Sequence, residues 1–375
     1  MSPGTRVVVG LSGGVDSAVA ALLLKRAGYD VSGLFMKNWD EDDRDGRCAA
    51  EEDLREVRCV CDVLGIPFST VNFATEYWDE VFTSFLSELR AGRTPNPDVL
   101  CNREIKFKAF LEHAQALGAH RIATGHYAGI AAGDGLQLTK ARDPGKDQSY
   151  FLHALGQHEL EQVLFPLADL TKTQVRTIAR AAGLPNHARP DSTGICFIGE
   201  RNFRQFVARY LEPRPGSIVS VDGGIVGHHD GLMFYTLGQR HGLGIGGPGN
   251  AWYVAGKDMP HNVLYVAQGT DHPALYAPAL DAGPVHWVSG HPPPLPFACR
   301  AKTRYRQPDQ DCVIHGLPDG GVHVEFAAAQ RAITPGQSVV FYTGEVCLGG
   351  AVISAAAPRA AAPRTPPLPQ QVGSY

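Results

Sequence analysis

Val7-Val8-Val9-Gly10-Leu11-Ser12-Gly13-Gly14-Val15-Asp16-Ser17 is the stretch that decides how this chain is read. Three valines in a row make the short apolar run expected of a strand covered on both faces. Ser12 to Ser17 then supply small residues ahead of a helix expected to begin near Ala18. A strand that turns through small residues into a helix brings backbone N–H groups to the helix N-terminus, where the dipole also favours an anion. Gly10, Leu11, Ser12, Gly13, Gly14, Val15, Asp16 and Ser17 are therefore read as a phosphate cradle, the alternative being a glycine turn with no ligand. Neither the Lys of G-x-x-x-x-G-K-[ST] nor the spacing of G-x-G-x-x-G is present, which excludes a standard P-loop and a dinucleotide fingerprint.

Outward from that loop, strand-like runs at Val31 to Met36 and Phe68 to Phe73 alternate with helical periodicity. Leu54, Val57, Cys61 and Leu64 recur at helical spacing, as do Val81, Phe82, Phe85, Leu86 and Leu89, and again Phe107, Phe110, Leu111, Ala114 and Leu117. Strands alternating with helices imply an α/β domain on a parallel sheet. Thr171-Lys172-Thr173-Gln174 reads as a capping box opening a further helix, which Gly183 and Pro185 stop. A last helix through Phe203, Phe206, Val207 and Tyr210 ends at Pro213. Beyond it, Gly-rich turns separate short strands such as Val322 to Phe326 and Ser338 to Tyr342, which suits two small β domains, the last a β-barrel. The expected division is 1–212, 213–277 and 278–354, with an unperiodic Ala/Pro/Arg-rich tail at 355–375 expected to be disordered.

The whole composition fits this division. A length of 375 residues exceeds one ordinary core, and 44% hydrophobic residues with a mean hydropathy of -0.13 supply apolar material without a transmembrane run. A net charge of -4 gives no global positive field, so any nucleic-acid contact must be local. The eight cysteines form neither a secreted disulfide scaffold nor paired C-x-x-C zinc spacing. A strand-like run starting at Arg6 leaves no room for a targeting segment, so a cytosolic location and no membrane role are expected.

Two cysteines stand out. Thr94-Pro95-Asn96-Pro97-Asp98-Val99-Leu100-Cys101-Asn102 joins two stiffening prolines to a carboxylate and a thiol just ahead of a helix, with Asn102 the expected N-cap. A thiol beside a helix N-terminus has its thiolate favoured, so Cys101 is a candidate nucleophile and Asp98 a nearby acid/base; a buried, inert cysteine is the alternative. Cys196, in Asp191-Ser192-Thr193-Gly194-Ile195-Cys196-Phe197, sits in a connection between helices and is weak evidence alone.

The loop hexapeptide resembles the signature of the ATP pyrophosphatase, or PP-loop, enzymes, which cleave ATP between the α- and β-phosphates. Together with Met36-Lys37-Asn38-Trp39, Gly92 to Asn102, Thr124-Gly125-His126-Tyr127, Lys146 to Leu152, Gly194 to Phe197 and Leu348-Gly349-Gly350-Ala351, it resembles the tRNA-specific 2-thiouridylases, the MnmA family. That resemblance implies an adenine-nucleotide alpha hydrolase-like first domain and ATP-dependent 2-thiolation of a wobble uridine, with Mg2+ accompanying ATP. It implies that Cys196 bears a persulfide, that Cys101 is its partner thiol, and that Asn96-Pro97-Asp98 approaches the target base. Met36 and Gly125 become nucleotide contacts, whereas His126, Lys146, Asp147, Gln148, Arg304, Tyr305 and Gln337 become tRNA contacts. The implied partners are the tRNA anticodon loop and a persulfide donor, either a cysteine desulfurase or a sulfur-relay protein.

Read from their residues alone, Lys302, Arg304 and Arg306 share one face of a strand with Tyr305 among them, forming either a phosphate-binding stripe or a solvated face. Asp40-Glu41-Asp42-Asp43 is taken as a solvated run, Cys61 as core, Gly242 to Gly247 as a hairpin turn and His228-His229-Asp230 as a surface hairpin, so no metal site is expected. Cys48 and Cys59 are unexplained. The competing functions are an amidating synthetase of the same superfamily, which needs neither cysteine, and a non-catalytic nucleotide- or RNA-binding protein.

Overall fold

The computed structural model describes residues 4–39, 49–191 and 202–357. Strand β1 (Arg6–Leu11) is buried at every position after the first, as a central parallel strand must be. Around it, β2 (Asp30–Lys37), β3 (Phe68–Asn72), β4 (Arg121–Ala123) and β7 (Val163–Leu164) form a five-stranded sheet in the order β3-β2-β1-β4-β7, with every pairing parallel. The chain runs from β1 outward to β3, then returns to place β4 on the other flank of β1. This reversal opens a crevice beyond the carboxyl ends of β1 and β4, the place where open α/β sheets hold ligands. The phosphate loop follows β1, and Thr124-Gly125-His126 follows β4.

Helix α1 (Val15–Arg26) and helix α2 (Ala49–Leu64) cover the sheet, Val57, Val60 and Cys61 of α2 being buried as their spacing requires. The helix Lys172–Ala181 opens on the capping box at Thr171 and Gln174. Residues 97–116 form one continuous helix with a π-helical middle, Cys101–Ala109. This corrects the N-cap. Asn96, in extended backbone, is the flanking residue and Pro97 the first helical one, because a residue before proline avoids the helical region and proline itself suits the first position.

Residues 216–268 form a separate four-stranded sheet in which β8 (Gly216–Ser220) and β9 (Ile225–His229) make a hairpin beside β10 (Trp252–Asp258) and β11 (Val263–Gln268). His229 is buried, with its ring at 3.1 Å from the Asn262 carbonyl, rather than on the surface. Gly242 to Gly247 lie in a long loop before β10 with no strand leading into them, so they are not a hairpin turn.

Six strands then close a barrel: β12 (Tyr276–Ala282), β16 (Val322–Arg331), β15 (Gln310–Gly316), β14 (Phe297–Lys302), β17 (Ser338–Thr343) and β18 (Val346–Ala357), with β12 pairing back to β18. Because β18 continues through Ala357, residues 355–357 belong to the barrel and not to the tail; the rest of the tail lies outside the described residues. Strand β14 ends at Lys302, and Arg304 and Arg306 occupy the turn after it. Strand alternation therefore does not put the three cations on one face.

The hairpin β5 (Ala128–Gly133) and β6 (Gly135–Lys140) belongs to the first domain in sequence. It nevertheless extends the barrel sheet, Thr139 pairing with Val346 and Leu138 with Cys347. One hydrophobic cluster likewise runs across all three regions, from Phe85 and Phe107 through Phe234 and Val254 to Val340 and Tyr342. The interior of the barrel is a further cluster built on Leu280, Ile314, Val324, Val339, Phe341 and Ile353.

Candidate active site

The phosphate loop is shaped by its own side chains. The Ser17 hydroxyl donates to the Gly14 carbonyl at 3.1 Å, and the Ser12 N–H reaches Ser17 Oγ at 3.3 Å. Gly13 adopts a φ of 75°, the left-handed conformation that favours glycine. Gly125 meets the loop from β4, where a Cβ would stand 2.6 Å from the Ser17 backbone nitrogen and 2.8 Å from the Asp16 carbonyl carbon. Met36 closes over the root of the loop, with its terminal methyl 3.2 Å from where a Gly10 Cβ would lie, and Phe110 of the helix 97–116 is equally near. The structure thus brings together Gly10 to Ser17, Met36 and Gly125.

The loop carries no lysine, yet cations gather at its helix end. Lys172 holds both Asp16 oxygens at 2.7 Å and Asp191 Oδ1 at 2.7 Å. Arg176 and Lys146 also pair with Asp191. Burial pushes the Asp191 carboxyl up, but its hydrogen bonds to Lys146 and Lys172 prevail and leave it at about 2. Tyr127 donates to Asp16 at 2.8 Å and is raised by burial and by that neighbouring carboxylate. Arg189 and Asn186 both donate to the Gly13 carbonyl, and Arg189 pairs with Asp53. Sequence reading missed Tyr127, Lys172, Arg176, Asn186 and Arg189 as parts of the site. Only the capping box marked Lys172, and a capping box reports on a helix, not on what its first side chain reaches.

His126, beside Gly125, accepts or donates at 2.8 Å with Thr124 Oγ1 and packs its ring on Phe107 of the helix 97–116, centroids 5.7 Å apart. Burial, aided by the nearby Lys106 charge, holds it well below the usual histidine range, so the neutral ring is the relevant form. Asp98 shares that same Lys106. Burial raises its carboxyl and Lys106 only partly offsets the rise; among the described residues nothing hydrogen-bonds to it. Cys101 is buried five residues into the helix, and not ahead of it. Cys196 lies outside the described residues, as do Cys48 and the acidic run at 40–43.

Several positions that resemblance implied as RNA contacts turn out to be engaged within the protein. Asp147 is buried and accepts from the Ala141 and Ser149 N–H groups at 3.1 and 3.2 Å, and Gln148 Oε1 accepts from the Tyr127 N–H at 3.0 Å. Tyr305 packs on Phe151, centroids 4.4 Å apart. Arg304 Nη2 donates to the Leu237 and Ala332 carbonyls at 2.7 and 3.0 Å. Gln337 Nε2 donates to the Thr94 carbonyl at 2.8 Å. Among the described residues no group of three His, Cys, Asp or Glu side chains converges to hold a metal, and no helix is long and apolar enough to cross a membrane.

A glycine-shaped loop between a buried parallel strand and a helix, at the point where the strand order reverses, marks a nucleotide-binding α/β domain, and the hexapeptide Ser12 to Ser17 makes it one of the PP-loop class. Residues 5–200 match the family described as tRNA methyl transferase HUP domain, residues 204–268 the tRNA methyl transferase PRC-barrel domain, and residues 278–353 the aminomethyltransferase beta-barrel domain. The chain is 59% identical over 350 residues to the tRNA-specific 2-thiouridylase MnmA 2 of Geobacillus kaustophilus, covering 93% of this chain and 94% of that relative. It is 60% identical over 354 residues to the tRNA-specific 2-thiouridylase MnmA of Methylococcus capsulatus, covering 92% and 95%. Among solved structures, the U34-tRNA thiolase NcsA from Methanococcus maripaludis overlaps 56% of this chain and 65% of its own at 19% identity, with a TM-score of 0.35. The chain belongs to the family of tRNA-specific 2-thiouridylases.

Proposed function

We propose that this chain replaces the 2-oxygen of a wobble uridine in tRNA by sulfur, at the expense of ATP. The observation that carries this reading is the dipeptide Gly125-His126, which touches the phosphate loop on one side and the helix of Asp98 and Cys101 on the other. A nucleotide on the loop and a base at Asn96-Pro97-Asp98 would then share one crevice. A carbonyl oxygen is a poor leaving group, and AMP transfer from ATP makes it a good one, with pyrophosphate and its Mg2+ leaving.

The residues around the loop divide this work. Backbone N–H groups at the start of α1 face the phosphates. Lys172 supplies the positive charge that the loop itself lacks, and Asp16 orients it. Asp98, with a raised carboxyl beside the target, is suited to hold or take a proton as the base is activated. The terminal sulfur of a Cys196 persulfide then attacks C2, AMP departs, and Cys101 attacks the inner sulfur, giving the thiolated base and a Cys101–Cys196 disulfide that an external thiol reduces. An anticodon loop suits this because its bases unstack at little cost. A persulfide donor must reload Cys196, and a cytosolic setting supplies the reductant.

Nucleoside mass analysis of tRNA incubated with the chain, ATP, Mg2+ and a cysteine desulfurase tests the reading. Wild type forms 2-thiouridine, whereas Cys101→Ser and Cys196→Ser each form none. Asp98→Asn binds tRNA but turns over at least about tenfold slower. Full activity in either serine variant would overturn the two-thiol cycle.

A further inference from the structure

The segment 92–95, immediately ahead of Asn96-Pro97-Asp98, is held by both β domains at once. From the barrel, the Pro335 carbonyl accepts the Thr94 N–H at 2.9 Å, and the Gln337 side-chain amide donates to the carbonyls of Thr94 and Pro95 at 2.8 and 3.3 Å. Gly336 lies flat against this segment at a φ of 91°, where a Cβ would stand 3.0 Å from the Thr94 carbonyl carbon and oxygen. From the central domain, Lys257 Nζ donates to the Gly92 carbonyl at 2.9 Å, and Thr236 meets Thr94 hydroxyl to hydroxyl at 3.4 Å. A Cβ at Gly92 would collide with the Met259 thioether.

The supports are themselves braced. The Gln337 carbonyl accepts from the Ile353 N–H of β18 at 2.8 Å. Arg304 joins the two β domains by donating to Leu237 on one side and to Ala332 and Thr334 on the other. Segment 92–95 thus contacts both β domains, and the helix carrying Asp98 and Cys101 follows it directly.

We propose that the two β domains position the catalytic helix by clamping residues 92–95, and that Gln337 is a positioning residue for thiolation. This rests on the function proposed above and deepens it: the β domains set where the base-facing carboxylate and thiol stand, besides whatever grip they have on RNA. A misplacement of about 1 Å at such a site costs on the order of 100-fold in rate, so a clamp need move only a little to matter.

The test uses the full chain with Gln337→Ala and, independently, Gly336→Ala, which pushes on Thr94 instead of releasing it. Steady-state thiolation and tRNA affinity by fluorescence anisotropy are measured, with a melting curve to establish folding. Both variants are expected to lose about 10- to 100-fold in kcat while tRNA Kd stays within about twofold of wild type. A kcat left at the wild-type level in a folded Gln337→Ala protein overturns the proposal. So does a weakening of tRNA binding that accounts for the whole loss in kcat/KM, because Gln337 would then be an RNA contact. A wild-type chain that binds tRNA and ATP yet forms no 2-thiouridine overturns the reading of the site, and the clamp with it; an active wild type with indifferent variants overturns the clamp alone.

Discussion

Replacing Gly125 by alanine should damage ATP use more than its single methyl group suggests. The added Cβ would sit 2.6 Å from the Ser17 nitrogen, 2.8 Å from the Asp16 carbonyl carbon and 3.0 Å from the Ser17 Cα, all backbone atoms in the first turn of α1. Relief needs a shift of roughly 0.7 Å, judged against ordinary non-bonded carbon contacts of about 3.5 Å. Helix α1 cannot simply retreat, because Val15, Ala18, Val19, Ala20 and Ala21 are all buried against the sheet. Overpacking of this kind costs about 1–3 kcal/mol, and the shift falls on the groups that face the phosphates, for which on the order of 10- to 100-fold in kcat/KM for ATP is expected. Thermal melting and ATP-dependent pyrophosphate release measure the two effects. Gly28→Ala is the control: Gly28 has a φ of 86°, but a Cβ there would meet nothing within 4 Å, so the change should cost about 1 kcal/mol of stability and leave ATP use intact. Wild-type melting and wild-type kcat/KM in Gly125→Ala would refute the contact between the 124–127 turn and the phosphate loop.

Lys172→Met should raise the KM for ATP and lower stability by about 1 kcal/mol, because it strips Asp16 and Asp191 of a shared cation at a site still partly open to water; calorimetry with and without ATP separates the two effects. Burial brings Lys257 down from 10.5 to about 8, so between those values the unfolded chain holds the proton more tightly and stability rises with pH. Denaturant melts of Lys257→Met should lack that rise. Asp191 gives a rise of the same sign at the acid end: with its carboxyl at about 2, its contribution is complete above about pH 4 and fades as pH falls toward 2. Asp191→Asn should therefore unfold in acid with a shallower pH dependence, measured by circular dichroism.

The nucleotide end of the molecule was legible in the sequence because its signals are local. Val7 to Ser17 spell strand, turn and helix within a few residues, and Thr171 with Gln174 spell a helix start. The helix of Asp98 and Cys101 was recognised but begun six residues late, with Asn102 in place of Asn96 as the cap, because Pro97 was not read as a first helical residue. What could not be read is whatever depends on distant partners. Nothing near Lys172 says that it faces Asp16, and nothing near Gln337 says that its amide is taken up by Thr94 and Pro95. Arg304 looked like a surface cation because its charge is visible in sequence, whereas the carbonyls of Leu237 and Ala332 that absorb it are not. The hairpin 128–140 escaped notice for a related reason: its alternating pattern is broken by Ala131, Ala132 and Gly133, and it gains meaning only from its neighbour β18.

That hairpin carries a lesson for anyone wishing to divide the molecule. Since β6 lies along β18, the last strand among the described residues, the nucleotide domain waits for the barrel to be made before its own edge is sealed. A fragment stopping before the barrel would expose the backbone of β6 and the buried side chain of Leu138 to any passing strand. Such a truncated protein should precipitate rather than serve as a minimal ATPase, and only the uncut polypeptide should yield a well-behaved preparation.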